Sequence, residues 1–223
     1  MVAEELMDDF ESAKDYMRIY AEDPREDTGY SWMAPIDGGY VGVTRTGGIA
    51  YVDWRGSTTP KDWLWNFEAK PIRDGSLGMV HEGFAKGVWK VQDALVKELG
   101  AERCAVRGHS RGAAQAAIFA GHLTAIGLAP ANVVLWGCPR PGFAALAQVL
   151  APVQISSYRN LSDPVTEVPF NIDLPGHNLD IPYVHVREFI QLEAKPSPLD
   201  LWGPLAPHHM ALYVKGLSEI GSH

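Results

Sequence analysis

A chain of 223 residues that is 46% hydrophobic and 21% charged can bury a sizeable core, which excludes global disorder. Its formal net charge of −8 at pH 7 gives an acidic surface. That excludes nucleic acid and anionic membrane as electrostatic partners, while contact with neutral lipid stays open.

In chain order, Leu6, Phe10, Ala13, Met17 and Tyr20 recur at helical spacing, which predicts a first helix over residues 3–21. Gly38-Gly39 and Gly47-Gly48 punctuate three extended runs, 31–36, 40–45 and 49–54, predicting a β-meander. Thr59, Pro60 and Asp62 supply an N-cap, an N1 proline and a capping-box acid for a short helix over 60–67. Residues 70–79 read as loop. Phe84, Val88, Val91 and Leu95 then share one face of a helix over 81–99, closed by Gly100. Strands follow at 103–107, 132–136, 154–159 and 184–190, with helices at 111–126, 143–150 and 207–220. This alternation predicts an α/β fold over 1–223 as one domain, with a mostly parallel central sheet flanked by helices. The alanine-rich helix over 111–126 is apolar nearly all round, so it is expected to be buried against the sheet.

Residues 108–112 read Gly-His-Ser-Arg-Gly, the G-x-S-x-G nucleophile elbow, between an apolar strand and a small-residue helix. A serine hydroxyl becomes a useful nucleophile when a sharp turn exposes it, a histidine takes its proton, and N–H groups face the developing oxyanion. The pentapeptide alone occurs by chance. Its companions stand in the chain order Ser, acid, His that an α/β-hydrolase triad requires: Ser110, Asp163 after the 154–159 strand, and His208 before the last helix. His209 competes with His208 for the base. A His-His pair also suits metal, but no HExxH or CxxC accompanies it. His109 and His81 are expected to pack or hydrogen-bond. For the oxyanion hole, the Arg111 N–H opens the elbow helix, and Trp54-Arg55-Gly56-Ser57 ends the third extended run, with Ser57 offering N–H and hydroxyl. Trp63, Trp65 and Phe67 crowd the segment that follows, either packing on the sheet or covering an acyl chain as a lid.

These motifs, in this order from about Tyr40 to Leu217, resemble the class 3 lipases, a branch of the α/β-hydrolases that includes fungal triacylglycerol lipases. Trp54-Arg55-Gly56-Ser57 is similar to the family's oxyanion segment and Asp62-Trp63 to the start of its lid. Val80-His81-Glu82-Gly83-Phe84, the elbow and Gly137-Cys138-Pro139-Arg140-Pro141-Gly142 have family counterparts. So do Asp163-Pro164-Val165 and His208-His209-Met210 with Tyr213. The resemblance implies a lipase or esterase working through an acyl-serine, with no metal or organic cofactor. It supports Ser57 as the oxyanion residue, residues 58–68 as a lid, and His208 over His209. One departure stands out: the elbow continues Arg111-Gly112-Ala113, where the family commonly has Leu-Gly-Gly.

The expected partner is a small-molecule ester or a lipid, with transient contact with a lipid interface, no nucleic acid and no obligate protein partner. The runner-up substrates are those of a short-chain or feruloyl-type esterase or a phospholipase; a non-catalytic binding module is the alternative of a different class. Cys104 and Cys138 read as core fillers, not as a disulfide framework. Met1 to Phe10 carries Glu4, Glu5, Asp8 and Asp9 in place of a basic n-region and apolar h-region. With no apolar stretch approaching a membrane span either, the location expected from these features is cytoplasmic, with release by lysis or non-classical export left open.

Overall fold

The computed structural model describes residues 8–21, 29–37, 39–57, 70–169, 183–197 and 203–220. Its centre is a seven-stranded sheet in the order β1-β2-β3-β6-β7-β8-β9. The meander β1 (Trp32–Ile36), β2 (Gly39–Thr46) and β3 (Ile49–Trp54) is antiparallel. β3 then pairs in parallel with β6 (Cys104–His109), followed by β7 (Asn132–Trp136), β8 (Ile155–Asn160) and β9 (Ile190–Leu192), all parallel. This is the mostly parallel α/β-hydrolase architecture expected from the alternation of elements.

Period-two alternation along β7 separates two cores. Val133 and Leu135 join the large cluster under α2 (Glu82–Trp89), α3 (Gln92–Leu99), α4 (Arg111–Ala125) and α5 (Ala144–Val149). Val134 and Trp136 face the opposite cluster, with Ala13, Tyr16 and Ile19 from the N-terminal α1 (Asp9–Tyr16) and its one-turn 3₁₀ extension. Met210, Tyr213 and Leu217 of the C-terminal α6 (Met210–Ile220) complete it. The two chain-terminal helices therefore share one face of the sheet. Alanine side chains let α4 sit close: Ala113, Ala114, Ala116, Ala117 and Ala120 are all fully buried. Arg107, on β6, is buried beneath α1 and bonded to Asp53, Asp15 and the Ser12 carbonyl. Its cost of desolvation is offset by this set of partners, which fastens α1 to the sheet.

Several boundaries differ from expectation, each for a physical reason. The described part of the first helix starts at Asp9, because the Asp8 carboxylate accepts the Glu11 N–H at 2.8 Å as N-cap. Residues 70–79 are a hairpin, β4 (Pro71–Asp74) and β5 (Gly78–His81), not a loop. Asp74 turns it by accepting the Ser76 and Leu77 N–H groups. The helix expected over 81–99 breaks at Lys90-Val91, yet the stripe Phe84, Val88, Val91, Leu95 runs across the break, so periodicity carries no sign of it. The strand expected over 184–190 reduces to a single bridge of Val184 with Gly142, and pairing with β8 starts only at Ile190. Arg187, between them, turns to the Leu150 and Val153 carbonyls at the end of α5. Finally, residues ahead of Met210 form a 3₁₀ segment (Gly203–His208) with Pro207 inside it. The expected helix over 60–67 and the lid residues Trp63, Trp65 and Phe67 lie outside the described residues.

Candidate active site

β6 runs straight into α4 through Ser110, whose backbone is φ 60°, ψ −134°. A non-glycine residue held there is strained, and such strain persists only where the surroundings over-determine it. Here they do. Ser110 N–H donates to the Trp136 carbonyl at 2.9 Å, and any side chain at Gly112 would run into the backbone of Trp54 and Arg55. The sharp turn sets Ser110 at the carboxyl edge of the parallel strands, where open α/β sheets bind ligands.

An acid follows β8, and its histidine partner closes the 3₁₀ segment just before α6. Asp163 follows β8, with its backbone N–H bonded to the Asn160 carbonyl. Its Oδ1 accepts the Val165 N–H at 2.9 Å, and its Oδ2 faces the His208 Nδ1 at 2.7 Å. Tyr213, one turn into α6, donates its O–H to the same Oδ2. Burial by itself would raise the Asp163 pKa; the neighbouring His208, its hydrogen bond, and the bonds from Tyr213 and Val165 overcome that and hold it below the ordinary carboxylate value. Burial, then the Asp163 charge, pushes the Tyr213 phenol far up, so it remains a donor.

His208 is fully buried, and its Nδ1 contact with a carboxylate leaves Nε2 as the proton acceptor. Among the described residues, His208 Nε2 and Ser110 Oγ are both buried without a hydrogen-bond partner. Asn160 holds the loop that carries His208: its Nδ2 donates to the Pro207 and Ala194 carbonyls, and its Oδ1 accepts the Ala194 N–H. His109 lies against the other side of the His208 ring, with centroids 4.6 Å apart. It hydrogen-bonds as expected and shares the α1/α6 side of the sheet with His208. His209 accepts the Ala211 N–H at 3.3 Å, while the contact to Asp163 Oδ2 is made by His208.

The segment Arg55-Gly56-Ser57 arrives from the end of β3. A Cβ added at Gly56 would lie 2.9 Å from the Ser110 Cβ and 2.6 Å from the His109 carbonyl oxygen. Only glycine permits this approach, and it brings Ser57 beside the elbow. Arg111 is the first residue of α4, so its N–H belongs to the first turn, whose donors have no intrahelical acceptor. The Arg111 side chain is half-buried; burial lowers its pKa, while Asp37, after β1, acts to raise it. His81 packs against Phe84 and Tyr183.

The structure thus brings Ser57, Ser110, Arg111, Asp163 and His208 to one edge of the sheet. Sequence reasoning missed the roles of Asn160, Gly137, Tyr20 and Tyr16. Gly137 has φ +57°, and a Cβ there would lie 2.9 Å from Asp163 Oδ2 and from His208 Nδ1. Its visible signals were a glycine directly after the β7 strand and its place at the head of the Gly137–Gly142 motif. No group of three or more His, Cys, Asp or Glu side chains suited to a metal ion occurs among the described residues.

The family model for lipase (class 3) matches residues 51–172, from β3 through the elbow to the segment after Asp163. The chain belongs to the class 3 lipase family. The secreted mono- and diacylglycerol lipases A of Penicillium cyclopium and Penicillium camembertii are each 32% identical to it over 162 residues. That match covers 66% of this chain and 49% of each relative, so it spans about half their length. Among solved structures, the lipase of Rhizopus microsporus var. chinensis superposes with a TM-score of 0.60 at 20% identity, covering 72% of this chain and 69% of that one. Another fungal lipase structure gives a TM-score of 0.63 at 23% identity, with 84% and 77% covered. These likenesses carry the fold of this class 3 lipase.

One expectation is corrected here. The cytoplasmic location read from the N-terminal composition and cysteine usage is overturned by the two Penicillium relatives, which are named secreted enzymes and point to an extracellular setting. The physical reason is that four acidic residues within a ten-residue stretch and two thiols describe local chemistry. A folded α/β domain with two buried free cysteines is equally stable on either side of a membrane.

Proposed function

We propose that this class 3 lipase hydrolyses carboxylic esters of the acylglycerol type, through an acyl-serine intermediate and outside the cell. The observation that carries the reading is the buried Asp163–His208 pair, with His208 Nε2 and Ser110 Oγ both buried and unbonded among the described residues. A buried polar atom without a partner is costly, and of the several such atoms among the described residues these two have complementary acid–base chemistry.

In this scheme His208 Nε2 takes the Ser110 proton as Oγ attacks the ester carbonyl. Asp163 holds the imidazole tautomer and stabilises the imidazolium. The N–H groups of Ser57 and Arg111 face the oxyanion. Collapse of the tetrahedral intermediate returns the proton to the departing alcohol and leaves the acyl-serine; water, deprotonated by His208, then releases the acid. The mono- and diacylglycerol substrates named for the Penicillium relatives support glycerol esters as the substrate class. The family match over 51–172 supports the lipid ester over the short-chain alternative.

The test is hydrolysis of emulsified mono-, di- and triacylglycerols beside labelling by a fluorophosphonate. Ser110→Ala is expected to fold, lose the label and fall to background turnover. Undiminished hydrolysis by that variant would sink the scheme.

A further inference from the structure

We propose that Tyr20 and His109 form a hydrogen-bonded bridge that sets the spacing between the oxyanion segment and the base, making both positioning residues for the reaction. The proposal rests on the ester-hydrolase reading above.

The direction of every bond in the bridge follows from donor and acceptor chemistry. His109 Nε2 lies 2.9 Å from the main-chain carbonyl of His208, which can only accept, so Nε2 carries the proton. Burial, and then the neighbouring His208, push the His109 pKa well below its usual value, so the ring is neutral and Nδ1 presents a lone pair. The Tyr20 O–H lies 2.7 Å from that Nδ1 and donates to it. The Tyr20 oxygen in turn accepts the Gly56 N–H at 3.3 Å. The chain therefore runs one way, from the Gly56 N–H through the phenol and the imidazole to the His208 carbonyl. Gly56 precedes Ser57, so one end of the bridge is the oxyanion segment and the other is the main chain of the base.

Packing fixes the bridge sideways. The His109 ring is stacked on His208 at 4.6 Å with 26° between planes. The Tyr20 ring meets His109 edge-on at 5.9 Å, and the Arg55 guanidinium covers it at 5.6 Å. Tyr20 closes the 3₁₀ extension of α1, and Tyr16, one turn back at the end of α1, repeats the pattern. Its O–H donates to the Trp54 carbonyl at 2.6 Å, and its oxygen accepts the His109 N–H at 3.0 Å. The N-terminal helix thus ties the end of β3 to the end of β6 twice. An oxyanion hole works only when its donors sit within a few tenths of an ångström of the developing charge, so a brace across these two strands acts on the rate.

The experiment compares the parent chain with Tyr20→Phe, His109→Phe and the double variant on a soluble short-chain p-nitrophenyl ester, with active sites counted by fluorophosphonate. His109→Phe keeps a ring against His208 and loses both bonds. Each single variant is expected to lower kcat about tenfold, the scale of one lost polar contact, with KM within about twofold. The double variant should fall no further than the weaker single one, because the bonds act as one unit. A Tyr20→Phe kcat within about twofold of the parent, losses that multiply in the double variant, or an effect on KM alone would overturn the bridge. Nitrogen-15 NMR of the parent imidazoles gives a check that needs no variant: His109 should be the Nε2–H tautomer, and an Nδ1–H tautomer overturns the proposal. A parent that neither hydrolyses esters nor takes up label brings down the hydrolase reading and the bridge together. An active parent with unaffected variants brings down the bridge alone.

Discussion

Tyr213 donates its phenol O–H to Asp163 Oδ2, the same oxygen that faces His208 Nδ1 at 2.7 Å. The two donors come from α6 and from the 3₁₀ segment just before it, so one stretch of chain supplies both partners of this carboxylate oxygen. Tyr213→Phe removes one of the bonds that hold the Asp163 pKa down, so that pKa must rise. With a hydrogen bond to a charged group worth about 1.5–3 kcal/mol, kcat is expected to fall about tenfold or more. The acid limb of the kcat–pH profile should move upward with it; a limb that stays put would remove Tyr213 from the account.

His208 and His209 are adjacent in sequence and differ in surroundings. His208 is fully buried against Asp163, while His209 accepts the Ala211 backbone N–H. His208→Ala is expected to reduce ester turnover by about 10⁴-fold or more, and His209→Ala by less than about threefold. Initial-rate measurements on the two variants check this, and equal losses would contradict it.

Gly137→Ala tests the packing behind the Asp–His pair. The residue has φ +57°, and its new Cβ would meet Asp163 Oδ2 and His208 Nδ1 at 2.9 Å. The left-handed backbone alone costs about 1–2 kcal/mol for a residue with a Cβ. A lower melting temperature is expected together with a kcat loss of about 10²-fold, because displaced catalytic groups lose rate steeply. Wild-type turnover in this variant would show that the pair tolerates displacement.

Ser57→Ala removes a hydroxyl beside the elbow and keeps the backbone N–H. Losing one oxyanion donor typically costs about 3–4 kcal/mol of transition-state stabilisation. Turnover should drop by about 10²-fold or more if the hydroxyl faces the oxyanion. Steady-state kinetics on a soluble ester decide it, and an unchanged kcat assigns the donor role to the N–H alone.

Acid should weaken the fold in a defined window. Burial, then the charge of Arg140, lowers the His185 pKa to about 4, and His109 is also pushed well down. A histidine in the unfolded chain titrates near about 6.5. Below that value the unfolded state binds protons that the folded state refuses, so stability falls as pH drops from about 6.5 toward 4. Asp163 adds to this further down, since its depressed pKa contributes stability above about 3.9 that is lost as pH falls through its folded value. Melting temperatures from pH 8 to 4 should show the decline, and His185→Gln should flatten it. A flat parent profile would contradict the assignment.

Much of the fold was legible because local rules and tertiary demands agree along the parallel strands. The run 132–136 is a strand wherever it is placed, since Val133, Val134, Leu135 and Trp136 are all buried, on alternating faces. The helix after Ser110 is equally determined by its alanines. The hairpin over 71–81 was missed because glycine and proline density was taken for loop, while Asp74-Gly75 carried the turn. The strand near β9 was misplaced because its apolar residues serve three different neighbours: Val184 the Gly142 bridge, Arg187 the end of α5, and Ile190 the edge of β8.

By itself the sequence determined the order of the candidate parts: a serine at a strand-to-helix turn, an acid after a later strand, and a histidine before the final helix. Motifs of this kind are local, and their spacing is a property of covalent chain. Only the tertiary structure decided which of two adjacent histidines meets Asp163, why residue 137 must lack a side chain, and that Tyr20 and His109 join Gly56 to the main chain of His208. The bonds of His208 to Asp163, Tyr20 to His109 and His109 to His208 span 45 to 99 positions of sequence separation. They exist because the sheet lays the ends of β3, β6, β7 and β8 side by side, while α1 and α6, from opposite ends of the chain, are driven onto one face of it by burial of the same apolar cluster.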